Sequence, residues 1–347
     1  MGRGIHDETK RLVDAAFGIL GAEQPMTLRQ LFYRMVSLEL ILNEQRAYKR
    51  VIDHVGKARE RGVIPWEWIV DRSRPVCSHA GWDGIEEYGE PVAEAYRRDY
   101  WAEQPKHVLI QAEKDTITGS IEEVVAAWGV TVYTLRGFAS KTRAHDIGVA
   151  CSEAAKAGKE VHILYLGDWD PSGLDIQRDV QQRILKTMLD ESRDIGPRMT
   201  EAEMEERVRA GETMLAISER MGRNSLEREA ARQVFTTFKV ARVAILREDI
   251  RKFKLPPLRV KDTDSRTPGF VGKHGGKCVE LDALPPNELR RRLTVEIRSR
   301  VDLEAWKRCM KVEEVEREFT RKVARAFRGL AAALPPRSEP APEERVP

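Results

Sequence analysis

The stretch Y165-L-G-D-W-D-P-S-G173 follows the apolar run EVHIL and places two aspartates, Asp168 and Asp170, one residue apart before a proline-glycine turn. The run predicts the carboxyl end of a buried strand. Residues two apart on an extended segment point to the same side, so both carboxylates can reach one point. Carboxylates brought together at a strand end repel each other and resist desolvation, so either they face water or something cationic lies between them.

Outward from this stretch, strand and helix patterns alternate. HVLIQAE, VTVYTLR and EVHILYLGDWD read as strands, and TGSIEEVVAAWG, SKTRAHDIGVACSEAAKAGK and LDIQRDVQQRILKTML as helices. Repeated βα units of this kind predict an α/β fold with a parallel sheet covered by helices. Upstream, ETKRLVDAAFGILG, the segment after Thr27 and the segment from Glu44 to Arg61 predict three helices. GVIPWEWIVDRSRPV then suits a short hairpin. Three helices and a small β-wing describe a winged helix-turn-helix over 1–80, which can place a helix in a DNA groove. A linker is expected over 81–104, and the sheet domain over 105–300 with a charged helical insertion near 190–232. FKVARVAIL reads as one further strand, 301–334 as a helical region, and the proline-rich 335–347 as a disordered tail.

The chain has 347 residues, 41% of them hydrophobic, enough for two domains with real cores. A third of the residues are charged, yet the formal net charge is only +3, so any basic surface is local and nucleic acid is permitted rather than demanded. Cys77, Cys151, Cys278 and Cys309 form no paired metal-ligand spacing, which argues against a zinc site and a disulfide framework and for a cytoplasmic protein, one expected to be nucleoid-associated if it binds DNA. Neither a membrane-length apolar run nor the apolar core of a signal peptide is present. No G-x-x-x-x-G-K-[ST] occurs, so ATP, if used, is expected on another chain.

Ligands of parallel α/β sheets gather outside the carboxyl ends of the strands. Glu113 ends the first strand of the sheet, and Asp168 and Asp170 end the third. Three carboxylates meeting there form a hard oxygen site of the kind that holds Mg²⁺ while leaving positions for water and phosphate. For Asp168 and Asp170 alone, a turn-and-helix cap is an equal alternative; Glu113 at a matching strand end shifts the balance to the cation.

Glu113 in its E-K context together with Asp168-Trp169-Asp170-Pro171-Ser172-Gly173 resembles the Toprim domain, the Mg²⁺-binding module of topoisomerases, primases and some nucleases. The D-x-D-P-x-G form is similar, more narrowly, to the A subunit of topoisomerase VI and the meiotic double-strand-break protein. In that family a winged helix carries T-x-R-x-x-[YF]-Y, and Thr27-Leu28-Arg29-Gln30-Leu31-Phe32-Tyr33 matches every specified position. The resemblance implies that Tyr33 attacks DNA with help from Arg29. It further implies that Glu113, Asp168 and Asp170 hold Mg²⁺, and that a homodimer makes staggered breaks in double-stranded DNA with 5′-phosphotyrosyl ends. A GHKL-type ATPase B subunit would act in trans. The charged insertion departs from the family pattern, and Phe32 replaces the first tyrosine of the pair.

Helical periodicity bears on Tyr33 independently. At about 100° per residue, Leu28, Leu31, Phe32, Met35 and Leu38 form one apolar stripe, with Tyr33 about 160° from its centre, which predicts an exposed phenol. On the third helix, Tyr48, Val51, Ile52 and Val55 point one way and Arg46, Lys49, Arg50 and Lys57 largely the other, a face suited to phosphates. Lys261 and Arg266 belong to a later loop that is also expected to face DNA, whereas His274 is expected to be a loop residue rather than a ligand. Two further readings stand beside the transesterase: a Toprim nuclease that uses water, and a non-catalytic DNA-binding protein with a structural metal site.

Overall fold

The structure is a computed structural model that describes residues 2–70, 87–136, 140–192, 201–213, 216–217, 232–260 and 264–331. Within it the chain forms two compact units, one of Met1–Pro75 with Pro105–Val301, the other of Val76–Gln104 with Asp302–Pro347.

The first unit opens with three helices, α1 (Gly2–Glu23), α2 (Leu28–Ser37) and α3 (Gln45–Glu60). Thr27 starts α2 by a reciprocal cap: its hydroxyl accepts from the Gln30 amide at 3.1 Å, and Gln30 Oε1 accepts from the Thr27 amide at 2.9 Å. In α3, Ala47, Val51, Val55 and Ala58 are buried, while Ile52, expected inside, is exposed. The hairpin expected over 62–76 is absent from its described part. Trp66–Trp68 form a 3₁₀ turn, and Ile69 makes a single parallel bridge to Met26. Pro65 withholds a ladder donor there, and the Arg59 guanidinium lies 4.3 Å from the Trp66 ring centroid and donates to its carbonyl at 2.8 Å, favouring a turn over a strand. Residues 71–86 lie outside the described part.

Gly89–Ala95 form α4, which belongs to the second unit. The sheet of the first unit then follows as β1 (Lys106–Ala112), α5 (Thr118–Trp128), β2 (Thr131–Thr134), α6 (Lys141–Lys156), β3 (Glu160–Leu166), α7 (Pro171–Glu191), α8 (Glu201–Arg209) and β4 (Phe238–Ala244). All four strands are parallel, in the order β2-β1-β3-β4. This is the parallel α/β sheet that the alternating pattern predicts. Leu109, Ile163, Ile147, Val180 and Ile184 build a core between strands and helices. Gly148 lets α6 and α7 meet closely, since a Cβ there would stand 2.4 Å from that of Thr187. Most of the expected charged insertion, and the tail over 335–347, lie outside the described residues.

Beyond β4 come α9 (Asp249–Lys252), β5 (Leu258–Arg259), α10 (Thr267–His274), β6 (Lys277–Cys278), α11 (Pro286–Arg298) and α12 (Leu303–Ala331). Arg290 of α11 ties the end of α1 and the loop after it to α5. It donates to the carbonyls of Glu23 at 2.7 Å, Pro25 at 3.1 Å and Ser120 at 2.9 Å. In the second unit α4 packs along α12, where Tyr96 and Arg98 both bond Glu316, at 2.7 and 2.6 Å. Residues 87–104, expected within a linker, thus contribute packing to a unit of their own. No helix among the described residues is long and apolar enough to cross a membrane.

Candidate active site

The end of β3 is held by its neighbours on both sides. Trp169 and Val279 exchange backbone hydrogen bonds at 2.8 and 2.9 Å, an antiparallel bridge that keeps the stretch extended. The Trp169 ring packs against Phe270 and His274, so His274 ends a helix in an aromatic cluster rather than lying in a loop. Extension and alternation then send Asp168 and Asp170 away from the side that Trp169 occupies. Beneath them the half-buried Arg242 donates to the carbonyls of Gly167, at 2.9 Å, and Asp168. Burial lowers its pKa, although the neighbouring tyrosine and acids pull the other way.

Glu113 follows β1 and accepts from the Asp168 amide through Oε2 at 2.9 Å, so the two strand ends are joined directly. Asp168 Oδ1 accepts from the Leu281 amide at 2.7 Å. Asp170 caps α7 by accepting from the Gly173 amide at 2.6 Å. The cap reading and the acid-cluster reading of Asp170 therefore hold together. All three acids line one cleft of about 870 Å³.

Glu280 and Asp282 reach this cluster from the segment that follows β6, and Asp115 and Asp264, paired with Arg136 and Arg266, also line the cleft. The Lys114 ammonium stands among the group, 2.8 Å from Asp168 Oδ2 and 3.4 Å from both Glu280 Oε2 and Asp282 Oδ2. Sequence reading missed Glu280, Asp282, Lys114 and Arg242. Lys114 directly follows Glu113 and Arg242 interrupts an apolar strand, which are usable signals; Glu280 and Asp282 arrive only through the Trp169–Val279 bridge.

The titration of the cluster reflects burial first and the crowding of like charges second. Burial and the Asp168 charge push Glu113 up to about 7. Asp170 is also raised, by burial and then by Asp168. Lys114 is raised despite its burial, because Asp168, Asp282 and Glu280 surround it. Among the described residues no three His, Cys, Asp or Glu side chains stand in formed metal-holding geometry. The described lining of the cleft is nonetheless rich in oxygen donors, with seven carboxylates, Asp115 and Asp264 included, against five cationic side chains, Arg29, Lys114, Arg136, Arg259 and Arg266, an excess that fits a hard divalent cation.

Arg29 projects from α2 to the rim, donating Nε to Glu280 Oε2 at 2.8 Å and lying 3.7 Å from Asp282 Oδ2. It also lines a smaller pocket of about 220 Å³ with Phe32, Tyr33 and Tyr48. Tyr33 departs from its periodicity: it is only 6% exposed, and Leu38 of the expected stripe is exposed instead. The reason is tertiary, because α2 is covered on a second face by the Leu281–Ala283 turn, and the helix ends at Ser37, before Leu38. Burial first, then the Glu280 charge, push the Tyr33 phenol up to about 12.

Of the expected DNA-binding residues, Arg266 lines the acid cleft and pairs with Asp264 and Asp175, at 2.8 and 3.1 Å. Arg46, Lys49, Arg50 and Lys57 are exposed on α3, with Arg50 paired to Glu8 at 2.6 Å and Lys57 to Asp53 at 2.8 Å, and none of the four lines the cleft. Lys261 lies outside the described residues. Comparison with family models, with curated proteins and with solved structures found no match.

Proposed function

We propose that this protein cleaves double-stranded DNA by Mg²⁺-dependent tyrosine transesterification, in the manner of the topoisomerase VI A subunit, with a Toprim-like sheet domain and a winged-helix-like amino-terminal module. The observation that carries the reading is the position of Arg29. One turn before Tyr33 on α2, it lines both the tyrosine pocket and the cleft that holds Glu113, Asp168 and Asp170.

Glu113, Asp168 and Asp170 would hold Mg²⁺, which supplies charge neutralisation at the phosphate when bound. Tyr33 Oη attacks phosphorus as the bond from phosphorus to the 3′-oxygen breaks; the phenolic proton is lost and the leaving oxygen gains one. The product is a 5′-phosphotyrosyl ester, and the number of phosphodiester bonds is conserved. A phenol held near 12 needs a nearby cation to favour phenolate, and Arg29, 5.8 Å from the ring centroid, is placed to provide it. Arg266 at the cleft and the basic face of α3 would contact phosphates. Two copies would give a double-strand break, and strand passage would need an ATPase partner in trans.

Tyr33 burial favours a second reading, a Toprim-type nuclease in which water is the nucleophile. Supercoiled plasmid incubated with the protein and Mg²⁺, then treated with protease, separates the two. Transesterification leaves protein-linked 5′ ends, and Tyr33→Phe abolishes cleavage; free ends that persist in Tyr33→Phe would overturn the tyrosine assignment.

A further inference from the structure

The 29-residue helix α12 of the second unit carries two apolar faces. One, with Trp306, Cys309 and Ala324, is buried. Beside it Val312, Val315, Phe319 and Val323 recur at intervals of three and four, the spacing of a second helical stripe. This stripe faces outward, with Val315 69% and Phe319 66% exposed. Contiguous exposed apolar side chains on a charged helix mark an interaction surface.

The charges along the helix say what covers it. Residues 313–318 contain four glutamates and one arginine, whereas 321–328 contain four basic residues and no acid, and Phe319 lies at the boundary. A helix of this pattern is complementary to itself only when reversed. Set parallel, two copies would oppose acid to acid and base to base. Set antiparallel about Phe319, the acidic half of each meets the basic half of the other, and Val315 falls opposite Val323 of the second copy. Glu318 and Lys322 share one flank of the stripe and pair within the helix at 2.9 Å, both well exposed. Reversal about Phe319 lets each exchange that partner for its counterpart across the two-fold axis. Glu313 and Glu316 are engaged within the unit, with Arg317 and with Arg98, so Glu314 and Glu318 are the acids that face outward.

We propose that α12 is a homodimerisation helix that pairs antiparallel with α12 of a second copy through Val315, Phe319 and Val323, with crossed Glu318–Lys322 ion pairs. The inference rests on the pattern of the helix alone. It would supply the two-fold symmetry that double-strand cleavage requires, but it stands or falls without DNA.

Sedimentation equilibrium of the full-length chain, without DNA or divalent cation, tests it. The protein is expected to be a dimer. Phe319→Asp is expected to raise the dimer dissociation constant by on the order of a hundredfold, with circular dichroism unchanged because Phe319 is exposed. Glu318→Lys is expected to raise it by on the order of tenfold, since each lysine then faces Lys322 of the other copy; adding Lys322→Glu restores the dimer. A monomer at all concentrations, with the stripe left to residues 332–347 or to another protein, overturns the proposal. A dimer indifferent to Phe319→Asp overturns it too, and failure of the charge swap to restore pairing overturns the antiparallel register.

Discussion

Arg29 and Glu280 lie 251 positions apart in the chain, yet Arg29 Nε donates to Glu280 Oε2 at 2.8 Å while the same guanidinium lies 5.8 Å from the Tyr33 ring centroid. This contact joins the helix of the proposed nucleophile to the acid cleft. Burial alone would lower the Arg29 pKa, but Glu280 and Asp282 outweigh it and raise it, so the guanidinium is a permanent charge. Glu280 is lowered in turn, because Lys114 and Arg29 outweigh its burial.

Arg29→Lys keeps the charge and loses the fork. Because the Arg29 side chain is 44% exposed, the pair adds little to stability, and the unfolding free energy is expected to change by less than about 1 kcal/mol. Plasmid cleavage is expected to fall by at least about tenfold, since a point charge cannot serve Glu280 and the phenol together. Denaturant titration and a cleavage time course read the two effects; equal losses of stability and activity would make Arg29 merely structural.

Glu113 and Asp170 bind protons more tightly folded than unfolded. For an acid whose folded pKa is raised, the linked stability is fully present below the ordinary carboxylate range and is lost as pH rises through the folded value, for Glu113 about 7. The cation-free protein is therefore expected to lose stability between about pH 5 and about pH 8. Millimolar Mg²⁺ should raise the melting temperature at the upper end of this range and have little effect at the lower end, where protons hold the sites. A Mg²⁺ response that does not vary with pH would remove these carboxylates from the cation site.

Asp170→Asn separates the two roles of that residue. Asparagine still accepts from the Gly173 amide and caps α7, so the fold is expected to persist. With one charge fewer in the cluster, the cation-free protein at neutral pH should be unchanged or more stable by about 1 kcal/mol. Its Mg²⁺-dependent thermal shift and its cleavage should be lost. Marked destabilisation without Mg²⁺ would show that the carboxylate is needed as a cap rather than for a cation.

Gly173→Ala tests how tightly the turn is packed. The added Cβ would stand 2.4 Å from the Asp168 carbonyl oxygen and 3.0 Å from Glu113 Oε2. An expected loss of about 1–3 kcal/mol follows from overpacking, together with loss of cleavage as the acids move apart. Gly18→Ala in α1 is the control, since a Cβ there meets nothing within 4 Å and should stabilise by up to about 1 kcal/mol. Thermal melts of both variants check the contrast.

The sheet was legible because each βα unit carries its own period and its own turn residues. β2, β3 and β4 fall within the runs that announce them, β1 starts one residue before its run, at Lys106, and Thr27 caps α2 as its residue type suggests. The acids were legible for the same local reason: Glu113, Asp168 and Asp170 sit at the carboxyl ends of parallel strands that lie side by side. Tyr33 was misread as exposed because periodicity describes one face of a helix at a time, and α2 is covered on two. The hairpin failed because side-chain stacking and Pro65 overrode the β-propensity of its aromatic residues.

The sequence by itself thus determined the α/β class, the start of α2 at its Thr27 cap and the three strand-end carboxylates, since each depends on neighbours within a few residues, whereas α1 and α7 begin earlier, at Gly2 and Pro171, than their apolar patterns suggest. Only the tertiary structure decided that Glu280, Asp282 and Lys114 complete the cluster and that Arg29 reaches it from α2. Those contacts span long separations in the chain, and charge pairing at such range is set by where the backbone folds back, which no local pattern encodes.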